Sequence, residues 1–374
     1  MVVPSRTTAA DALAQAPAAD ARGPLPEVIH LIPYDGIGGV EVAAASVPAG
    51  NYDRFVFRKA FIASKTVPAA EPGRFESGRQ SENDPVAFFR TLRHLLARKP
   101  DVLVVSLWRS CLAGLALKML RPRTRLIVFL HNIRNANPVD RIVTQVAARA
   151  ATALWADSAA TAELRLGPAF AQQTRAVSFL TARLQPVAAG EPAPRFISWG
   201  RLHPRKRVDR AIALFARIHA ARPDASFTVI GPDHGERPKL EAQVAALGLT
   251  DVIEFTGPAK LPEICAHARD RAFFLQTSRF EGMGMAVVEA MQLGLVPVVT
   301  PVGEIGVYVR DGENGLWIED EERAVAAVLA LTDDRARYRT MQAAAVATWQ
   351  DRPLYREEFL AACADACARP RAAA

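Results

Sequence analysis

Residues 279–299 read RFEGMGMAVVEAMQLGLVPVV. From Ala286 to Leu293 the segment leaves no obvious solvent face, yet Glu289 stands in its middle. A helix apolar nearly all round is buried. An isolated buried carboxylate is very costly, so Glu289 needs a partner or a ligand. A second carboxylate, Glu281, comes eight positions earlier, directly before Gly282-Met283-Gly284. A helix starting near Gly284 aims its first free N–H groups and its positive dipole end at whatever lies before it. The two glycines allow a phosphate or a sugar hydroxyl close to the backbone. An ionised carboxylate only accepts hydrogen bonds, so a pair of hydroxyls is its natural ligand. One glutamate then holds a sugar ring and the other a ribose. The competing readings are a buried ion pair for Glu289 and a dipole-stabilised first-turn carboxylate for Glu281.

Outward from this stretch, strand-like and helix-like segments alternate. Runs 28–33, 101–106 and 125–130 have the length and composition of buried strands, with helical patterns at 86–98 and 110–120. Residues 178–194 are irregular and rich in Pro, Ala and Gly, as a linker is. The alternation then restarts: strands at 195–200, 226–231, 252–257, 272–277 and 296–300, helices at 207–221, 236–247 and 261–268. Repeated β-α units imply parallel sheets with right-handed crossovers. Two blocks imply two doubly wound α/β domains, each taking ligands at the carboxyl ends of its strands. The expected division is a disordered lead-in at 1–23, domains at 24–185 and 186–345, and a tail helix at 346–374 that packs back on the first domain.

The chain has 374 residues, more than twice the roughly 150 typical of one domain. No apolar run reaches the roughly 18 residues that span a bilayer, and residues 1–22 lack the apolar core of a secretory signal. The expected location is therefore cytoplasmic. Cys111, Cys265, Cys363 and Cys367 form no metal pattern and read as free thiols. The formal charge of +7 favours acidic partners such as phosphates or anionic lipid headgroups. Nucleic acid is not expected, because no long basic run or aromatic-interleaved basic motif occurs. Arg93, His94, Arg98, Lys99, Arg121, Arg123 and Arg125 cluster in the first block, which suits a peripheral contact with an anionic membrane.

Two further loops carry chemistry. After the first strand, Gly36-x-Gly38 resembles a dinucleotide fingerprint, but Glu41 occupies the third glycine position and would spoil the strand–helix contact there. A glycine loop approaching a ligand, or a plain tight turn, remains. After RFISWG comes RLHPRKRVD, where Arg201 and Lys206 sit just past a strand end. Two fixed cations there neutralise a diphosphate, and charge accumulating on a departing nucleoside diphosphate needs that help. A solvated basic turn is the alternative.

Taken together, FEGMGMAVVEAMQLGLVPVV resembles the Glu-x7-Glu motif of retaining glycosyltransferase family 4, whose fold is GT-B. GGVE (38–41), PDVLVVSLWRSCLAGLALKM, FLHN (129–132), ADSAATAELR, GRLHPRKRVD and VGEIGVYVRDGENGLWI are similar to the family's other segments, in the family's order, over about residues 27–345. The resemblance implies two Rossmann-like domains facing each other across a cleft and closing over the donor, with 178–194 as one hinge strand. It implies that Arg201 and Lys206 bind the donor diphosphate. Glu281 contacts the donor sugar with backbone groups of Gly282, Met283 and Gly284, and Glu289 holds the ribose. Gly38 and Gly39 line the cleft from the first domain, and His131 lies at the sugar end. The substrates implied are a UDP- or GDP-sugar and a glycan or lipid-linked acceptor, with retention of configuration. No cofactor is implied, and with no Asp-x-Asp motif no metal. Met283, Met285, Arg207 and Asn132 depart from the family pattern, which bears on sugar preference. An epimerase or phosphorylase of the same fold, and a non-catalytic nucleotide-sugar-binding subunit, are the other readings.

Overall fold

The computed structural model describes residues 24–36, 39–64, 71–131, 133–188 and 190–368. They form two compact units, one of the described residues up to Thr181 together with those from Pro353 on, the other Ala182–Arg352.

The first unit is built on strands β1 (Glu27–Asp35), β2 (Gly50–Tyr52), β3 (Phe55–Ser64), β4 (Arg74–Glu76), β5 (Val102–Ser106), β6 (Arg125–Leu130), β7 (Ala153–Ala156) and β8 (Thr174–Ala176). Their order is β2-β3-β1-β5-β6-β7-β8, with β4 beside β3. All pairings are parallel except β2 with β3. Helices cover the sheet, so its central strands are buried on both faces and read as continuous apolar runs; every residue of β5 is buried. Helices Pro85–Arg98 and Pro138–Ala150 each begin with proline behind a side-chain cap, Asp84 and Asn137 respectively.

The second unit carries β9 (Arg195–Trp199), β10 (Ser226–Ile230), β11 (Ile253–Gly257), β12 (Phe273–Gln276), β13 (Val296–Val299) and β14 (Leu316–Trp317), all parallel, in the order β11-β10-β9-β12-β13-β14. The strand order reverses direction around β9 and β12. Ligands of doubly wound sheets bind beyond strand ends at such a point. The loops after β9 and β12 hold Arg201, Lys206 and Glu281.

One strand escapes the sequence reading, and two expectations need correction. Strand β3 escapes the apolar-run pattern because Arg58 and Lys59 interrupt FVFRKAFIAS. Lys59 is nevertheless buried, its ammonium 2.9 Å from Glu71, and a paired charge is tolerable there. The boundary expected at 345/346 falls inside the helix Arg335–Gln350. That alanine-rich stretch has no internal breaker, and the chain leaves the second unit only at Arg352–Pro353. The linker expected at 178–194 is mostly part of the second unit. Leu184 N–H donates to the Gln292 side chain, and Val187 and Ala188 N–H both donate to the Leu293 carbonyl. The last helix, Tyr355–Ala368, lies in the first unit, where Phe359 stacks on Phe129 and meets Phe57 and Trp155 edge-on.

Candidate active site

Past β9 the chain turns through a short 3-10 segment, Pro204–Lys206. Past β12 it runs through Thr277–Gly284 into the helix Met285–Gln292. The two loops are tied together. Arg279 N–H donates to the Arg205 carbonyl at 2.8 Å, and the Thr277 hydroxyl to the Arg207 carbonyl at 2.6 Å. Between them Lys206 Nζ donates to Glu281 Oε1 at 2.6 Å. The same oxygen accepts from the Ser278 hydroxyl at 2.7 Å and from the Gln276 amide at 3.3 Å. The side chains of Lys206 and Glu281 keep 24% and 13% of their exposure. The pair is thus sheltered but reachable. Glu281 precedes the helix by four residues and engages a lysine, so the first-turn reading does not describe it.

The glycine loop is shaped from behind. Tyr308 donates its hydroxyl to the Met283 carbonyl at 2.7 Å, and Glu304 N–H donates to the Gly282 carbonyl at 3.0 Å. Gly284 caps the helix at φ 67°, where a side chain is strained. Gly303 (φ 59°) passes so close that a Cβ would lie 2.1 Å from the Glu281 carbonyl oxygen. Only glycine permits that approach.

Glu289 is half-buried inside the helix, and Trp199 Nε1–H at the end of β9 donates to its Oε2 at 2.8 Å. Burial raises its pKa above the ordinary carboxylate value, while the indole N–H and the Lys206 charge pull the other way. Among the described residues Glu289 has no ion pair, so the buried-salt-bridge alternative fails; its partner is a neutral donor. Arg201 is exposed and makes no hydrogen bond among the described residues.

His131 and Gly39 belong to the first unit; Gly38 lies outside the described residues. His131 follows β6 and is 8% exposed, flanked by Phe129 and Phe179. Gly39 opens a helix beside Phe179. His131 also lines a cavity of about 200 Å³ whose wall includes Trp108, Arg109 and the buried Arg165–Asp140 ion pair.

Sequence reasoning missed the supporting partners: Trp199, Gln276, Ser278, Tyr308 and, for His131, Ser106. Trp199 had a signal, since the carboxylate at Glu289 demanded a donor and an indole stands one residue before Gly200-Arg201.

Residues 184–347 match the family model for glycosyl transferases group 1. The second unit is a group 1 glycosyltransferase domain. A GDP-mannose:cellobiosyl-diphosphopolyprenol alpha-mannosyltransferase of Komagataeibacter xylinus is 27% identical over 176 residues, 45% of this chain and 45% of that protein. The lipopolysaccharide core biosynthesis mannosyltransferase LpsB of Rhizobium meliloti is 32% identical over 157 residues, 39% of this chain and 44% of that one. The matches thus span less than half the length of these relatives. Anabaena HepE, solved in complex with UDP, superposes with a TM-score of 0.75 at 18% identity, over 91% of this chain and all of that one. The lipopolysaccharide outer core galactosyltransferase WaaB gives 0.67 at 18% identity, over 90% and 99%. At that identity the likeness is one of fold, and the fold is GT-B.

Proposed function

We propose that the protein transfers a sugar from a nucleotide diphosphate sugar to a glycan or lipid-linked hydroxyl, with retention of configuration. The observation that carries this reading is the convergence of Lys206, Glu281 and Glu289 at the reversal of the second sheet. Lys206 and Arg201 hold the diphosphate, and Glu281 and the Gly282-Met283-Gly284 backbone take the sugar. Glu289 accepts from the ribose hydroxyls. In the first unit, His131, Gly38 and Gly39 serve the sugar and the acceptor. The anomeric bond to the phosphate oxygen breaks and the bond to the acceptor oxygen forms on the same face. The acceptor proton passes to the leaving phosphate, and the two cations spread the resulting charge. The named activities of the mannosyltransferase relatives support the reaction class.

The test is calorimetry and thermal shift with UDP, GDP, ADP and their common sugars, with and without EDTA. Selective stabilisation by one nucleotide, unchanged by EDTA, is expected. No response to any nucleotide would overturn the reading. Turnover without acceptor would point to an epimerase, strict phosphate dependence to a phosphorylase, and binding without turnover to a non-catalytic subunit.

A contact with anionic bilayers on the cytoplasmic face belongs to the same proposal, with Arg93, Lys99 and Arg123 of the basic cluster exposed and three of its members engaged within the protein. Arg125 is committed to the carbonyls of Ala366 and Cys367, Arg98 to Glu27, and His94 stacks on Phe75. Further support comes from Val139, Ile142 and Val146, one exposed stripe on the helix Pro138–Ala150 with exposed Arg141 beside it, and from Phe89 at 66% exposure on the helix Pro85–Arg98. No helix among the described residues is long and apolar enough to cross a membrane. Binding to anionic but not neutral vesicles, weakened severalfold by Ile142→Glu, is expected in co-sedimentation. Equal recovery with both vesicle types would sink the contact.

A further inference from the structure

In the first unit one serine hydroxyl is shared by two buried histidines. Ser106 Oγ, at the end of β5, lies 2.8 Å from His30 Nε2 on β1 and 2.9 Å from His131 Nε2 just past β6. The three strands are consecutive in the sheet. His30 is 1% exposed, Ser106 fully buried and His131 8% exposed. The Nδ1 atoms of both rings are buried without a hydrogen-bond partner among the described residues.

We propose that Ser106 and His30 are positioning residues for His131, joined in a one-way hydrogen-bond relay that fixes His131 as the tautomer protonated on Nδ1. The inference deepens the functional reading of His131 given above and rests on it for its consequence, not for its geometry.

A hydroxyl has one proton, so Ser106 donates to one Nε2 and accepts from the other. Both imidazoles are neutral at ordinary pH. Burial, with the Lys59 charge, lowers His30 to about 3, and burial, with His30, holds His131 well below the usual histidine value. The two rings must then be opposite tautomers, one protonated on Nε2 and the other on Nδ1.

The surroundings choose between the two directions. A proton on His30 Nδ1 would be a buried donor with no acceptor, on a ring packed against Phe359 and within the field of Lys59. His131 Nδ1 is buried without a partner too, so the choice rests on what differs between the rings. His30 is enclosed beside a positive charge, whereas His131 keeps 8% exposure on a cavity wall, where a ligand can supply the acceptor that a buried N–H needs. A lone pair at His30 Nδ1 costs less and is favoured by the nearby positive charge. His30 Nε2–H therefore donates to Ser106, and Ser106 donates to His131 Nε2. The remaining proton sits on Nδ1 of His131, the ring that lines the 200 Å³ cavity. With its Nε2 lone pair occupied by Ser106, His131 meets a ligand oxygen as a neutral donor and has no basic nitrogen to spare. It cannot serve as a general base.

Side-chain ¹⁵N NMR of the full chain tests this directly, with His30→Gln and His131→Gln used to assign two of the seven histidines. His131 is expected as the Nδ1–H tautomer and His30 as the Nε2–H tautomer. Finding His131 protonated on Nε2 would overturn the relay; where a variant folds poorly, the two rings are assigned in the wild type by their through-space contacts, His30 to Phe359 and His131 to Phe179. In Ser106→Ala the His131 signals are expected to shift toward a tautomer mixture and kcat/KM to fall about tenfold, one hydrogen bond's worth. Ser106→Thr, which keeps the hydroxyl, should restore both. Unchanged His131 signals in Ser106→Ala would also overturn the proposal. Absence of sugar transfer by the wild type would strike the functional reading alone, because the tautomers are read without substrate.

Discussion

Replacing Lys206 with alanine is expected to lower kcat/KM for nucleotide-sugar turnover about 100- to 1,000-fold, with little loss of stability. The rate effect follows from where charge develops. As the glycosidic bond breaks, negative charge grows on the diphosphate. Removing one preorganised donor from a developing anion typically costs about 2.7–4 kcal/mol. The stability effect follows from what is left behind. Glu281 Oε1 still accepts from Ser278 and Gln276, so its carboxylate is not orphaned. The lost ion pair is partly open to water, where such pairs contribute on the order of 1 kcal/mol or less. Steady-state kinetics and thermal unfolding on the same preparations separate the two. A large drop in Tm with nucleotide binding intact would make the Lys206–Glu281 pair a structural tie, and the diphosphate would have to be held elsewhere.

That contrast also marks what the sequence makes legible. Period and run length place the central strands within a residue or so, because a strand buried on both faces must be apolar throughout and VLVVS or RLIVFL can be little else. The same rule hides β3, where Lys59 is buried but paired with a glutamate twelve residues away that no local pattern connects. The site shows the same division. Glu289 is visible because a carboxylate inside an apolar helix needs a partner, and Glu281 and Lys206 because they stand in loops just past strand ends, where a doubly wound sheet takes its ligand. Their partners are ordinary residues, a serine, a glutamine and a tryptophan, whose roles appear only when β9 and β12 lie side by side. The His30–Ser106–His131 contact needs three strands distant in sequence to align, and only sheet order supplies that.

Glu289→Gln is expected to weaken nucleotide binding by about 10- to 100-fold while making the folded protein more stable at neutral pH. Both effects trace to one carboxylate kept in a sheltered place. Binding suffers because an amide offers one acceptor oxygen where the carboxylate offers two, and hydrogen bonds to a charged group are the stronger kind, about 1.5–3 kcal/mol. Stability gains because burial raises the Glu289 pKa. With the folded pKa above the unfolded one, the native state binds more protons than the unfolded state between the two values, so stability falls as pH rises through that window. Above it the wild type carries the full penalty of an ionised, sheltered carboxylate. Glutamine carries none and, through its carbonyl oxygen, still accepts from the Trp199 indole. The stability difference should therefore be greatest at neutral pH and shrink as pH falls below the ordinary carboxylate range. Denaturant unfolding of both proteins across that range, beside calorimetry with the preferred nucleotide, reads both arms. A variant less stable than wild type at neutral pH would mean that Glu289 is held by interactions stronger than its burial. A variant that binds nucleotide as well as wild type would remove Glu289 from the ribose and leave its place in the helix without a function.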